Sequence, residues 1–252
     1  MSKSQRASAP GFGTIARSTL VALGPSMLLD LAGTACTVLV LPDRLRRRGP
    51  GEPRPPRPVR LLIALGAAFP WVYLFGLRPW HRRWGATQDE VGARLPGDDS
   101  VPEVCYQHTR AVTVHAPAAA VWGWLAQIGR GRGGFYSYDW LENLAGVRVR
   151  SAEEVRAEWQ LQVGDTVEVL PGWGPRVAAV EPERALIIEN WGAYAVRPLN
   201  AHTTRLIARA RQPRGLGTLV YLLTIEIPHF VMERRMLLGI KERAERGELP
   251  RC

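Results

Sequence analysis

The sequence predicts an α+β fold, an antiparallel sheet closed by one long C-terminal helix, preceded by two apolar segments that can form a membrane hairpin. Three observations carry this prediction. Two predominantly apolar runs fall before residue 83, a strand–helix unit opens near Thr109, and short β-branched runs between turn residues lead up to a long amphipathic helix. The charge divides along the same line. Residues 1–83 hold 13 Lys+Arg against 3 Asp+Glu, whereas residues 84–252 hold 20 of each. The C-terminal part is therefore balanced and offers no evident basic groove for a phosphate backbone, which argues against a nucleic-acid partner.

Residues 1–18 are polar, carry Pro10, Gly11 and Gly13, and are expected to be disordered. Residues 19–41 form the first apolar run, long enough for a span of about 20 residues although Gly24-Pro25 and Asp30 interrupt it. A basic segment follows instead of a small-residue cleavage site, which favours a span over a signal peptide. Residues 42–58 read as a Pro/Arg linker. Residues 59–77 form the second run, with Trp71 and Tyr73 inside it and Trp80 placed as an interfacial anchor. A pair of buried core helices is the rival reading, but no neighbouring segment is available to bury them. The expected location is the cell membrane, crossed twice. Arginines flank both runs, so charge alone leaves the orientation open. Cys36, Cys105 and Cys252 have neither metal nor disulfide spacing and read as free thiols, which places the domain on the cytoplasmic side.

In the C-terminal part, Thr87 and Glu90 have capping-box spacing, so a short helix starts there and stops before Pro96-Gly97. Val112 and Val114 alternate with Thr113 and His115 as in a half-buried strand. Pro117 suits a helix start, and Val121, Trp124, Leu125 and Ile128 form one apolar stripe behind it. The glycines from Gly129 to Gly134 lack the Lys-Ser/Thr ending of a phosphate loop and read as a turn into a second short helix, rich in aromatic residues from Phe135 to Trp140. Ser151 and Glu154 repeat the capping pattern and predict another helix. Strands are then expected near residues 165–170, 176–181, 185–190, 193–198 and 203–211. In the last, Thr203, Arg205, Ile207, Arg209 and Arg211 share a face expected to be solvated, while Thr204, Leu206, Ala208 and Ala210 share a small apolar one. The closing helix spans Leu219 to Arg246 with an interruption near Pro228. Met232, Met236, Ile240 and Ala244 make its apolar stripe, which Glu233 interrupts within one turn of His229.

Here the sequence resembles a known family. The segment TRAVTVHAPAAAVWGWLAQIG is similar to the first strand and helix of the START/polyketide cyclase-like (SRPBCC) superfamily. RGGFYSYDWLEN, RWGAT, LPGD and FVMERRMLLGIKERAE resemble a membrane-anchored bacterial branch of it with no assigned function. The resemblance spans about residues 84–246 and implies a helix-grip domain over residues 84–248.

The expected function is to hold a small lipophilic ligand (a lipid, isoprenoid or polyketide-like molecule) between the sheet and the closing helix, with membrane lipid as the other partner. The candidate lining residues are Trp124, Tyr136, Tyr138, Trp140, Leu206, Ala208, Met232, Glu233 and Met236. For each, a plain core or rim role is the competing reading. An alternative is a cyclase or dehydratase, for which Glu233, Tyr136, Tyr138 and Arg205 are the candidate catalytic groups. Glu233 reads more readily as a structural carboxylate, because a buried charge must be paired. No serine sits in a nucleophile elbow, and the five histidines show no i, i+4 ligand pair, so no metal and no cofactor is predicted. A third class is a membrane scaffold whose linker arginines face anionic lipid. A closed cavity separates the first two classes from the third.

Overall fold

The computed structural model describes residues 56–248 apart from Pro102 and Ala145, with the backbone alone for Ile63, Pro70 and Glu248. The chain divides into two compact units, with the division between His81 and Arg82 among the described residues. The first apolar run and most of the linker lie outside the described residues.

In the first unit, α1 (Arg57–Val72) continues through a π-helical turn at Tyr73–Leu77 into α2 (Arg78–Arg82). The resulting 26-residue helix is apolar and long enough to cross a membrane. At 1.5 Å per residue it measures about 39 Å, against a bilayer core of about 30 Å. Leu61, Leu62, Phe69, Trp71 and Phe75 are all exposed on it.

The second unit is an α+β domain. Its elements are α3 (Gln88–Gly92), β1 (Val104–Val114), α4 (Ala118–Leu125), α5 (Asp139–Leu144), β2 (Val177–Glu181), β3 (Ala185–Ile188), β4 (Gly192–Asn200), β5 (Thr203–Pro213), α6 (Leu216–Thr224) and α7 (Glu226–Glu248). The five strands form one antiparallel sheet in the order β1-β5-β4-β3-β2. The helix α7 packs across β1 and α4, so the core lies between the sheet and this closing helix. At Gly239 the helix approaches so closely that an added Cβ would stand 2.2 Å from the Tyr136 carbonyl oxygen.

Several local expectations are met for the reasons that predicted them. Thr87 caps α3, accepting from Glu90 N while the Glu90 carboxylate accepts from Thr87 N. Val121, Trp124, Leu125 and Ile128 are all buried. The closing helix breaks at Ile225 with a bend of 69°. Pro228 falls in the first turn of α7, where its missing N–H costs nothing, and its ring would clash with a helical carbonyl at Thr224.

Other expectations are corrected. Residues 165–170 make only isolated bridges, Thr166 to Arg176 and Leu170 to Trp173, because Pro171 and Gly172 turn the chain too soon for a ladder. The Ser151 capping pattern starts no helix there, since Ser151 donates from both N and Oγ to Asp139 at the head of α5. The arginine face of β5 is covered, not solvated. Arg205 forks onto Glu90, and Arg209, only 3% exposed, binds Asp98 and the carbonyls of Val91 and Ala93. The segment before β1 thus closes the outer face of the sheet, with Leu95, Ala111, Ala195 and Ile207 as a small second core.

Candidate functional site

On the inner side, strand alternation places His108, Arg110, Val112 and Val114 on the face of β1 that meets α7. Val112 and Val114 pack in the core. His108 and Arg110 meet Glu233, which faces them from α7. Arg110 Nη1 donates to Glu233 Oε2 at 2.7 Å, and His108 Nε2 lies 3.2 Å from the same oxygen. His229, one turn earlier on α7, places Nε2 3.6 Å from Glu233 Oε1. Its Nδ1 is 2.8 Å from the Tyr221 hydroxyl of α6. Tyr106, next along β1, is buried with its ring centroid 5.5 Å from that of Tyr221 and 5.9 Å from that of His108. The result is a buried polar band running from Tyr106 to Glu233.

The band settles its own electrostatics. Burial pushes the Glu233 carboxyl up, but the His108 ring, the Arg110 guanidinium and the His229 ring together hold it well below the usual range. Burial lowers His108 to about 4, so its ring is neutral at physiological pH despite the carboxylate beside it. Arg110 is thus the permanent counter-ion. Burial raises the Tyr221 and Tyr194 hydroxyls, which keep their protons.

Beside this band lies a cavity of about 380 Å³. Phe135, Val147, Val169, Ile225, Met232 and Met236 give it a mainly apolar wall. Trp191, Tyr194, Tyr221, His229 and Glu233 bring the edge of the polar band onto it, and Glu142 joins from α5. Trp191 donates from Nε1 to the Tyr194 hydroxyl at 3.2 Å. Glu142 is buried at 8% exposure, and neither carboxyl oxygen meets a partner. Burial, reinforced by the nearby Asp139 carboxylate, pushes it up to about 7.

Of the residues expected to line a pocket, Met232, Glu233 and Met236 do so. Trp124, Tyr136, Leu206 and Ala208 are in the core instead. The volume left by the alanines of β5 is taken by polar side chains: Ala208 pairs with Arg110, and Ala210 with His108, across the β1–β5 ladder. Tyr136 is buried with its hydroxyl donating to Trp124 O and accepting from Gln127 Nε2, a plug rather than a cavity wall. Trp140 is 67% exposed, and Tyr138 is half-buried away from the lining. As for the catalytic candidates, Arg205 lies on the outer face and Glu233 is tied to Arg110. Arg110, His108, Tyr221, Trp191 and Glu142 were missed. A signal for part of the group was present, because His229 and Glu233 stand at i, i+4 on one helix.

His108, His229 and Glu233 can bring three donor atoms within 4.8 Å of one another, a spacing open to a metal ion. Arg110 already neutralises the carboxylate of that set, so a dication there would add to a balanced charge.

No family model matches the chain, and no curated protein matches it. It is similar in fold to solved structures of low identity. A protein from Mesorhizobium loti matches with a TM-score of 0.33 and 14% identity, covering 56% of this chain and 100% of that one. A polyketide-cyclase-like protein from Corynebacterium glutamicum matches at 0.31 and 16%, covering 56% and 93%. An aromatase/cyclase from Streptomyces sp. R1128 matches at 0.31 and 18%, covering 57% and 96%.

Proposed function

We propose that this protein is a membrane-tethered binder of a small lipophilic molecule, held between the sheet and the closing helix. The cavity carries the reading. Its volume of about 380 Å³ lies in the range of small-molecule sites, and it combines a mainly apolar wall with a few fixed polar groups, as such sites do. Two further features support a membrane setting. The helix over residues 57–82 is apolar, exposed and long enough to span. In α6, Tyr221 lines the cavity while Leu216, Leu219, Val220 and Leu223 are exposed, so this short helix turns an apolar face to its surroundings.

Native mass spectrometry of the full-length protein released from membranes tests the proposal. The expected result is a lipophilic adduct that Met232→Trp, which fills the cavity, strongly depletes. Ala208→Leu is the contrasting change, because Ala208 is packed in the core. It should cost about 1–3 kcal/mol of stability by overpacking and leave the adduct in place. Absence of any adduct, together with no change in Trp191 emission on adding apolar probes, would refute a ligand-binding function.

A further inference from the structure

We infer that the cavity selects an uncharged apolar molecule bearing a hydroxyl group, which Glu142 of α5 holds by hydrogen bonds. The inference rests on the cavity being a ligand site and names the class of ligand. Most polar side chains on the wall are already engaged. Ser137 Oγ donates to Met232 O at 3.0 Å, the Tyr194 hydroxyl accepts from Trp191, and Glu233 is held by Arg110. Glu142 is different. Neither of its carboxyl oxygens has a hydrogen-bond partner among the described residues. A buried carboxyl left in this state costs about 1–3 kcal/mol, more if charged. A bound ligand would supply what the chain does not.

The chemistry of Glu142 limits what can satisfy it. Glu142 is drawn toward its neutral form by burial and by Asp139, whose own carboxylate is occupied by Ser151. A neutral carboxyl offers one O–H donor and one carbonyl acceptor. At His229 both ring nitrogens already face protein groups, Nδ1 the Tyr221 hydroxyl at 2.8 Å and Nε2 the Glu233 carboxylate at 3.6 Å. The wall thus presents both a donor and an acceptor at Glu142. A hydroxyl, which donates and accepts at once, complements this set. A carboxylate ligand would face Glu233 and Glu142 with Arg110 already committed. An ammonium ligand would require Glu142 to ionise in a mostly apolar wall. The Glu142 oxygens are shielded, and its terminal torsion is soft enough to turn one into the cavity.

Full-length protein in lipid nanodiscs, titrated with decan-1-ol, decane, decanoate and decylamine, separates these possibilities by head group at constant chain length. Emission of Trp191, isolated by difference from a Trp191→Phe variant, reports binding. The expected result is that decan-1-ol binds at least tenfold more tightly than the other three. Glu142→Leu should reduce decan-1-ol affinity about tenfold and leave decane unchanged, whereas Glu142→Gln, which still donates and accepts, should keep most of it. Near-UV circular dichroism checks folding, with Glu142→Met as a second apolar variant should Glu142→Leu not fold. Equal binding of decane and decan-1-ol would overturn the inference while leaving the cavity a ligand site. Tighter binding of decylamine or of decanoate would overturn it in favour of a charged ligand. Binding of none of the four would remove the cavity reading itself.

Discussion

Removing Arg110 should be among the most damaging single changes in the domain. Its side chain is fully buried, its guanidinium carbon sits 5.0 Å above the Phe230 ring, and Nη1 is 2.7 Å from Glu233 Oε2. Arg110→Met keeps much of the stem and removes the charge. Glu233 would then be a fully buried carboxylate beside two imidazoles, and His108 favours the neutral form because of its burial. Breaking a buried pair from one side typically costs about 3–5 kcal/mol, because an uncompensated charge is left behind. For a domain of this length each kcal/mol moves the melting temperature by about 2–4 °C, so a drop of roughly 6–20 °C follows. Guanidinium unfolding of the full-length chain, followed by tryptophan emission, measures the free energy. The double variant Arg110→Met/Glu233→Leu should recover most of the loss, since a buried pair exchanged for apolar residues of similar volume is often neutral. A cost below about 1 kcal/mol for Arg110→Met, or a double variant that loses the sum of the two single costs, would show that the pair is not coupled as described.

The two other perturbed groups predict opposite responses to pH. Glu142 has its carboxyl raised from 4.5 to about 7, so the native state holds a proton that the unfolded chain releases between those values. Stability is then lost as pH rises through that window, by on the order of 3 kcal/mol at 1.36 kcal/mol per unit. Glu142→Gln should therefore stabilise the protein by about that amount at pH 8 and barely at pH 5, and an equal effect at both would contradict a buried neutral acid. His108 is lowered from 6.5 to about 4, so here the unfolded chain binds the extra proton and stability falls as pH drops across that range. His108→Leu should flatten this part of the melting-temperature profile, and an unchanged profile would place the acid sensitivity elsewhere. Finally, an alkaline carbonate wash should leave the full-length chain in the membrane pellet and release a fragment beginning at residue 84. Full-length chain in the supernatant would refute the tether.

How far the sequence disclosed the site depended on whether the controlling interaction was local. The α3 cap, the stripe of α4, the break just before Pro228 and the alternation of β5 are set by residues within a few positions of one another, and each follows from spacing alone. The β5 arginines show where spacing stops helping. Alternation assigns Arg205 and Arg209 to one face but cannot show that residues 90–98, more than a hundred positions earlier, cover it. Ala208 and Ala210 show the same limit from the other side. Small residues on an inner face do leave room, but pairing with Arg110 and His108 across the ladder decides what occupies it. Glu233 stood out because a carboxylate interrupts an apolar stripe. Glu142 did not, because on a short, polar-flanked helix a glutamate is unremarkable until its burial is seen.

The two carboxylates of the cavity wall differ in a way that separates maintenance of the fold from function. Glu233 is surrounded by a guanidinium and two imidazoles, so its burial costs are offset within the chain and its removal should be felt mainly as stability. Glu142 has no such compensation, and an amide in its place would relieve the fold of a buried acid. A stability rule alone would favour glutamine at this position. Buried groups that weaken a fold tend to cluster at sites where they act on something outside the chain. If the cavity is a ligand site as proposed, that reasoning puts the ligand's polar end near α5, at Glu142, with its apolar remainder along Met232, Met236 and Val169.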